Sequence, residues 1–154
     1  MKNTLVPIQE IKNKILKTYT KKELKIISRK LDTKKISAYN KQEYTLLMKT
    51  LLKLAKFMGI TEPPDNEVLQ MLAEFIAEHY GDFSQEEISD AFIWALNQED
   101  FRHFNRFTPQ LLAKVISKYK YHRNTTTIKY RKELEDKVDR YKRKIKVDNL
   151  QIEK

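Results

Sequence analysis

Only two of the 154 residues are glycine. The tight turns of hairpins and β-sandwiches draw on Gly for left-handed backbone, so this scarcity points away from all-β folds and toward helices. The chain is 34% charged and 40% hydrophobic, a balance that suits helices with one buried stripe and solvated outer faces. A chain of this length buries roughly 70% of the surface its unfolded form exposes, enough for one domain with extensions. The expected fold class is all-α: a compact helical bundle with a basic N-terminal helical extension and a basic C-terminal helix.

Apolar spacing places the helices. The first is expected from about Pro7 to Tyr19, with Ile8, Ile11, Ile15, Leu16 and Tyr19 in its stripe. The second, about Lys21–Leu31, follows Thr20 as N-cap and sets Leu24, Ile27 and Leu31 inward. The third, Lys41–Met58, buries Tyr44, Leu47, Met48, Leu51, Leu52, Ala55 and Met58. Asn40 caps its start and Gly59 ends it in a left-handed conformation. Pro63 and Pro64 then break the chain, because neither fits a helix interior. The fourth helix, Asn66–Tyr80, carries Val68, Leu72, Phe75, Ile76 and His79 on one side, and Gly81 terminates it.

Ser84-Gln-Glu-Glu87 matches a capping box and opens a fifth helix with Ile88, Ala91, Phe92 and Ala95 inward. Thr108 as cap and Pro109 at the first position open a sixth, with Leu111, Leu112, Val115, Ile116 and Tyr119 as its stripe. Asn124-Thr-Thr-Thr127 interrupts that period. A separate last helix is expected around Tyr130, Leu134, Val138, Tyr141 and Ile145, with residues 147–154 frayed. The expected division is therefore a basic helical extension at 1–39, a helical core with an acidic middle at 40–123, and a basic C-terminal helix at 124–154. That last helix is too narrow in its apolar stripe to fold alone. It packs on the body, pairs with another helix, or orders on binding.

Charge is segregated along the chain. Residues 1–60 carry fifteen Lys/Arg against four Asp/Glu, residues 61–100 eleven acids and no base, and residues 101–154 sixteen bases against six acids. Blocks of one sign focus a field and speed encounter with the opposite sign. Two basic stretches and one acidic one suit a chain that holds a polyanion with its ends and a basic protein with its middle. Glu74, Glu78, Asp82, Glu86 and Asp90 are the candidates for that protein contact. The plain alternative is a solvated acidic face, with Asp65, Glu67, Glu86 and Glu87 placed where a helix dipole favours negative charge.

Cysteine is absent, which excludes disulfides, thiolate metal sites and cysteine nucleophiles. The three histidines, His79, His103 and His122, are scattered, without the helical pairing that metal sites use. So glycine-poor a chain has no Gly-rich phosphate loop, which removes Walker-type ATPases and dinucleotide enzymes. The expectation is no enzyme, no cofactor and no metal. No stretch approaches the ~20 apolar residues of a membrane span, and Met-Lys-Asn-Thr-Leu-Val-Pro lacks a signal-peptide core. A soluble intracellular protein without membrane contact is expected.

Bases neutralise phosphates and aromatic rings stack on unpaired bases. Phe101-Arg-His-Phe-Asn-Arg-Phe107 interleaves the two, and Lys114, Lys118, Lys120 and Arg123 follow among Tyr119, Tyr121 and His122. Arg102, Arg106, Lys114, Lys118, Lys120 and Arg123 are the candidate phosphate contacts, with Tyr121 as the stacking candidate. The plain alternative for Phe101, Phe104 and Phe107 is a plug in the core between helices five and six. The last helix adds a basic band of Arg131, Lys132, Lys137, Arg140, Lys142, Arg143, Lys144 and Lys146, for which nucleic acid and a partner helix are both open.

The stretch from about Leu69 to Arg123 resembles a helical module of small phage and prophage replication proteins, the replisome-organiser and helicase-loader class. The residues that carry the likeness are Phe75-Ile-Ala-Glu-His-Tyr80-Gly-Asp-Phe83-Ser, Glu86-Glu-Ile88-Ser-Asp-Ala91-Phe92 and Phe107-Thr-Pro-Gln-Leu-Leu-Ala-Lys-Val-Ile116-Ser-Lys-Tyr119. It is also distantly similar to the C-terminal module of DnaD-like primosomal proteins. The Tyr-x3-Ile-x3-Trp helix of that module falls on Leu111, Val115 and Tyr119, of which Tyr119 keeps an aromatic.

The resemblance implies binding to single-stranded or origin DNA and to a replicative helicase or initiator. It also implies work in the cytoplasm, the host's if the chain is phage-encoded. The function expected is thus a DNA-replication accessory. An assembly adaptor such as a virion component, oligomerising through its terminal helices, and an RNA-binding regulator are the alternatives.

Overall fold

A computed structural model describes residues 5–98 and 106–152. Among them are six α-helices: α1 Leu5–Leu16, α2 Lys21–Asp32, α3 Lys41–Phe57, α4 Asn66–His79, α5 Gln85–Leu96 and α6 Pro109–Ile152. A 3-10 turn at Ile36–Ala38 precedes α3. Among the described residues there is no strand, only an isolated parallel bridge between Glu62 and Arg106. The fold is all-α.

The helix starts follow from local chemistry. Three of them close as reciprocal capping boxes, which satisfy the orphan N–H groups of a first turn. Glu23 N donates to Thr20 Oγ1 and Thr20 N to Glu23 Oε1. Asn40 and Glu43 do the same for α3, as Ser84 and Glu87 do for α5. Asp65 accepts from Val68 N, and Thr108 from Leu111 N. Gly59 carries the chain out of α3 at φ 74°, a conformation that costs any side chain with a Cβ. Gly81 has a different reason to be small: a Cβ there would lie 2.9 Å from the Ala77 carbonyl oxygen and 3.2 Å from Ser37 Cβ.

The chain forms two compact units, Ser28–Arg123 and a second made of Met1–Ile27 with Asn124–Lys154. The core of Ser28–Arg123 takes Leu47 and Leu51 from α3, Leu72 and Ile76 from α4, Ile88 and Phe92 from α5, and Leu112, Val115 and Ile116 from α6. Phe83 and Phe107 fill it from the loops. The 3-10 turn is tied to the α4–α5 loop by Ile36 N donating to Phe83 O at 2.8 Å and Ser37 N to Gly81 O at 3.0 Å. The other unit is built on Ile15, Tyr19, Ile27 and Tyr130. Tyr19 and Tyr130 meet edge to face, with ring centroids 6.1 Å apart, the arrangement that aromatic quadrupoles favour.

Several expectations change. The run Asn124–Thr127 does not interrupt anything: α6 passes through it as one helix of 44 residues. Thr126 and Thr127 are buried there, and Thr127 Oγ1 donates to Asn124 O in the preceding turn, which is how a hydroxyl is accommodated inside a helix. The N-terminal segment and the end of α6, expected as separate appendages, form one unit. The buried face of α4 is Leu69, Leu72, Ala73 and Ile76, whereas Val68 and His79 are exposed. In α2, Ile26 and Ile27 are buried and Leu31 is exposed. The α3 core gains Leu54, and Tyr44, Met48, Leu52 and Met58 are half-buried around it.

Candidate functional site

The first 24 residues of α6, from Pro109 to Lys132, include no acid. Within Ser28–Arg123 the inward side of this helix is Leu112, Val115, Ile116 and Tyr119, all buried. Lys114, Lys118 and Tyr121 recur at i, i+4 and i+7, so they share the outer face, and all three are exposed, Tyr121 to 79%. At 1.5 Å rise per residue the two lysines stand about 6 Å apart along the axis, with the tyrosine a further turn on. Two cations and an exposed ring in one row are what phosphate neutralisation and base stacking require.

The other candidates divide. Arg106 is exposed and its Nε lies 3.3 Å from Glu62 Oε2, itself exposed; a pair this wet adds little and leaves the cation accessible. Lys120 is half-buried, with Nζ 4.0 Å from Asp82 Oδ2. Arg102 lies outside the described residues, as do Phe101, His103 and Phe104. Phe107 is a core residue, packed on Phe92 at a ring separation of 5.3 Å.

Arg123 is a correction. Its side chain is 1% exposed, so it presents nothing to a phosphate. Nη1 donates to Glu87 Oε2 at 2.8 Å and Nη2 to Asp82 Oδ2 at 3.0 Å, and the guanidinium lies over the Phe83 ring at 3.8 Å from its centroid. Glu87 is fully buried and also takes Lys35 Nζ on Oε1 at 2.7 Å. The carboxylate that caps α5 is therefore the hub of an ion cluster joining three parts of the chain. A buried carboxylate without cations would be costly, and here it has two.

That cluster changes the meaning of the acidic block. Asp82 and Glu87 pair with Arg123, Asp90 with Arg29 at 3.3 Å and Glu62 with Arg106. Each base comes from outside 61–100, so part of the segregation serves folding. Asp82 and Asp90, expected to contact a partner, also hold internal bases, Asp90 with little exposure and Asp82 with its side chain 53% exposed. Glu86 is half-buried. Glu74 and Glu78 remain exposed on α4. With Glu67 and Met71 they recur at i, i+4, i+7 and i+11, one face of the helix, and Met71 is 64% exposed in the middle of it.

Beside the α6 row lies an aromatic contact that the hydrophobic period alone does not single out. Trp94 stacks on His122 with centroids 5.7 Å apart and planes 16° apart, and also meets Tyr119 at 5.8 Å. Its register on α5, three residues past Ala91 and next to Ala95, was the available signal. Among the described residues no group of His, Asp or Glu is arranged to hold a metal ion, and no helix is long and apolar enough to cross a membrane. Comparison of the chain with protein-family models, curated proteins and solved structures finds no match.

Proposed function

We propose that this protein is a non-enzymatic DNA-replication accessory of the replisome-organiser or helicase-loader kind. It holds nucleic acid on the Lys114–Lys118–Tyr121 face of α6 and takes a basic protein, such as a replicative helicase or initiator, on the Glu67–Glu74–Glu78 face of α4. The cytoplasm, the host's for a phage-encoded chain, is the place of work that goes with this reading. The observation that carries it is the acid-free, exposed basic row on α6. The likeness of residues 69–123 to phage replication modules supplies DNA as the polyanion.

The test is a salt titration of binding to a single strand of about 30 nucleotides and to its duplex. Each neutralised phosphate contributes about 0.7 to the logarithmic salt slope on single strands and about 0.9 on duplex. Replacing Lys114 and Lys118 together by Ala lowers the slope by about 1.4 on the single strand and about 1.8 on the duplex. Tyr121→Ala weakens single-strand binding by about 1–3 kcal/mol if a base stacks on it and leaves the duplex unchanged. An unaltered slope removes this face from the interface. Stronger competition by RNA than by DNA of the same length replaces the reading with an RNA-binding regulator.

An assembly adaptor is the second reading, and one observation favours it. Val147 and Leu150 are exposed on α6, as they would be on a helix that meets another chain.

A further inference from the structure

A groove of about 770 Å³ runs between the start of α3 and the middle of α4. Its lining is mostly apolar, from Tyr39, Tyr44, Met48 and Ala73, with polar side chains between them. Glu74 stands on the α4 rim and Lys41 on the α3 rim, and Glu78 follows Glu74 by one turn. Such a trough, greasy below and acidic along one edge, fits an amphipathic helix with bases beside its apolar residues. Phosphate is repelled by the acidic edge, so the groove is not a continuation of the nucleic-acid face.

The chain itself carries a matching helix. Arg140, Arg143, Val147 and Leu150 recur at i, i+3, i+7 and i+10 near the end of α6, and all four are exposed. They share one face, distinct from the stripe of Val138, Tyr141 and Ile145, which is half-buried. Asp136, one turn before Arg140, is also exposed and supplies the opposite sign for Lys41. We propose that the α3–α4 groove receives the Arg140–Leu150 face of a second copy of this chain. The arginines pair with Glu74 and Glu78, and Val147 and Leu150 lie on the tyrosine and methionine floor. Groove and helix are different surfaces, so the contact is head to tail, and unless it closes into a ring it leaves a groove free at one end. Mass therefore grows with concentration. The proposal rests on α4 as a protein-docking face and is independent of the nucleic-acid reading.

The experiment is sedimentation equilibrium of the full chain without nucleic acid, over about two decades of concentration and at low and high salt. The wild type is expected to exceed the monomer mass of 18.5 kDa as concentration rises, and to do so less at high salt. Glu74→Lys/Glu78→Lys and Arg140→Glu/Arg143→Glu should each stay monomeric. Mixed in equal amounts, they regain two complementary pairs, the basic groove of one with the acidic helix of the other and the unaltered groove of the second with the unaltered helix of the first, so association should resume with the two variants alternating. That recovery also shows that both variants are folded. Unchanged association in either variant, or a mixture that remains monomeric, overturns the proposal. A wild type that is monomeric throughout overturns it too and leaves the groove to a basic helix of another protein. Titrated separately with the single strand of about 30 nucleotides, a wild type that associates but does not bind the strand would remove the nucleic-acid reading alone.

Discussion

Replacing Arg123 by alanine removes a cation shared by two carboxylates and an aromatic ring. Glu87 is 0% exposed, and the cation left to it is Lys35, 2.7 Å from Oε1. Removing one member of a buried ion pair costs about 3–5 kcal/mol, because the other charge stays in low dielectric without compensation. With Lys35 still in place the lower end of that range applies. Loss of the guanidinium from the Phe83 ring, 3.8 Å away, adds about 0.5–1 kcal/mol. The expected destabilisation of the Ser28–Arg123 unit is thus about 4 kcal/mol.

Asp82→Asn is the control. Its side chain is 53% exposed, so breaking its half of the cluster costs under about 1 kcal/mol. Urea unfolding followed by Trp94 fluorescence reads the right unit, because the one tryptophan of the chain lies within it. Arg123→Lys should fall between the two, since an ammonium keeps the charge but cannot fork to both acids. A loss below 1 kcal/mol for Arg123→Ala would refute the buried cluster. So would a folded variant whose DNA salt slope drops by about one, because that guanidinium would then be facing phosphate.

The two glycines should respond differently to alanine. Gly59→Ala meets no neighbouring atom within 4 Å and costs only its left-handed backbone, about 1–2 kcal/mol; Gly81→Ala drives a Cβ onto the Ala77 carbonyl and Ser37 and costs about 1–3 kcal/mol. Thermal melts separate them, since only Gly81→Ala should be relieved in part by Ser37→Gly. At alkaline pH, burial first and then the Glu133 carboxylate push the Tyr19 hydroxyl up to about 12. Burial, with Asp90 and Glu87 nearby, raises Tyr119 as well. A raised folded pKa means that the folded state keeps the proton longer, so this stability is intact below pH 10 and is lost on climbing toward 12. Stability curves of Tyr19→Phe and Tyr119→Phe should therefore fall less steeply between pH 10 and 12; equal slopes would dispose of that account. Ser84→Ala should destabilise α5 by about 1 kcal/mol, visible in the same urea assay.

What was legible in the sequence was local. The capping box of Ser84 and Glu87 needs residues three apart, and the α6 stripe from Leu111 to Tyr119 is set by its own period. The exposure of Lys114, Lys118 and Tyr121 followed from that period too. Arg123 was not legible, because its burial depends on Glu87 and Asp82, 36 and 41 residues earlier, and an arginine among lysines near a helix surface looks solvated. The run of threonines looked like a break because β-branched polar residues favour other conformations. Their hydroxyls are instead absorbed by the helix they sit in. On α4 the bulky Phe75 and His79 pulled the expected stripe sideways. The buried face includes Ala73, which a search for large apolar residues passes over. The acidic block was visible, but its division between internal ion pairs and an exposed face required the fold.

The pairing of the first and last segments in one unit has a consequence for the order in which the protein is made. The Ser28–Arg123 unit is complete once residue 123 has emerged from the ribosome. Ile15, Tyr19 and Ile27 are synthesised first of all, yet their partner Tyr130 arrives about a hundred residues later. Contacts of such long sequence separation form slowly. Throughout that interval α1 and the start of α2 lack Tyr130 and Leu134, the α6 side chains that complete their apolar cluster, and incompletely covered apolar surface is the condition under which nascent chains associate or recruit chaperones. A chain cut short before Tyr130 would leave that cluster incomplete, and it is such truncated products, rather than the finished protein, that should aggregate.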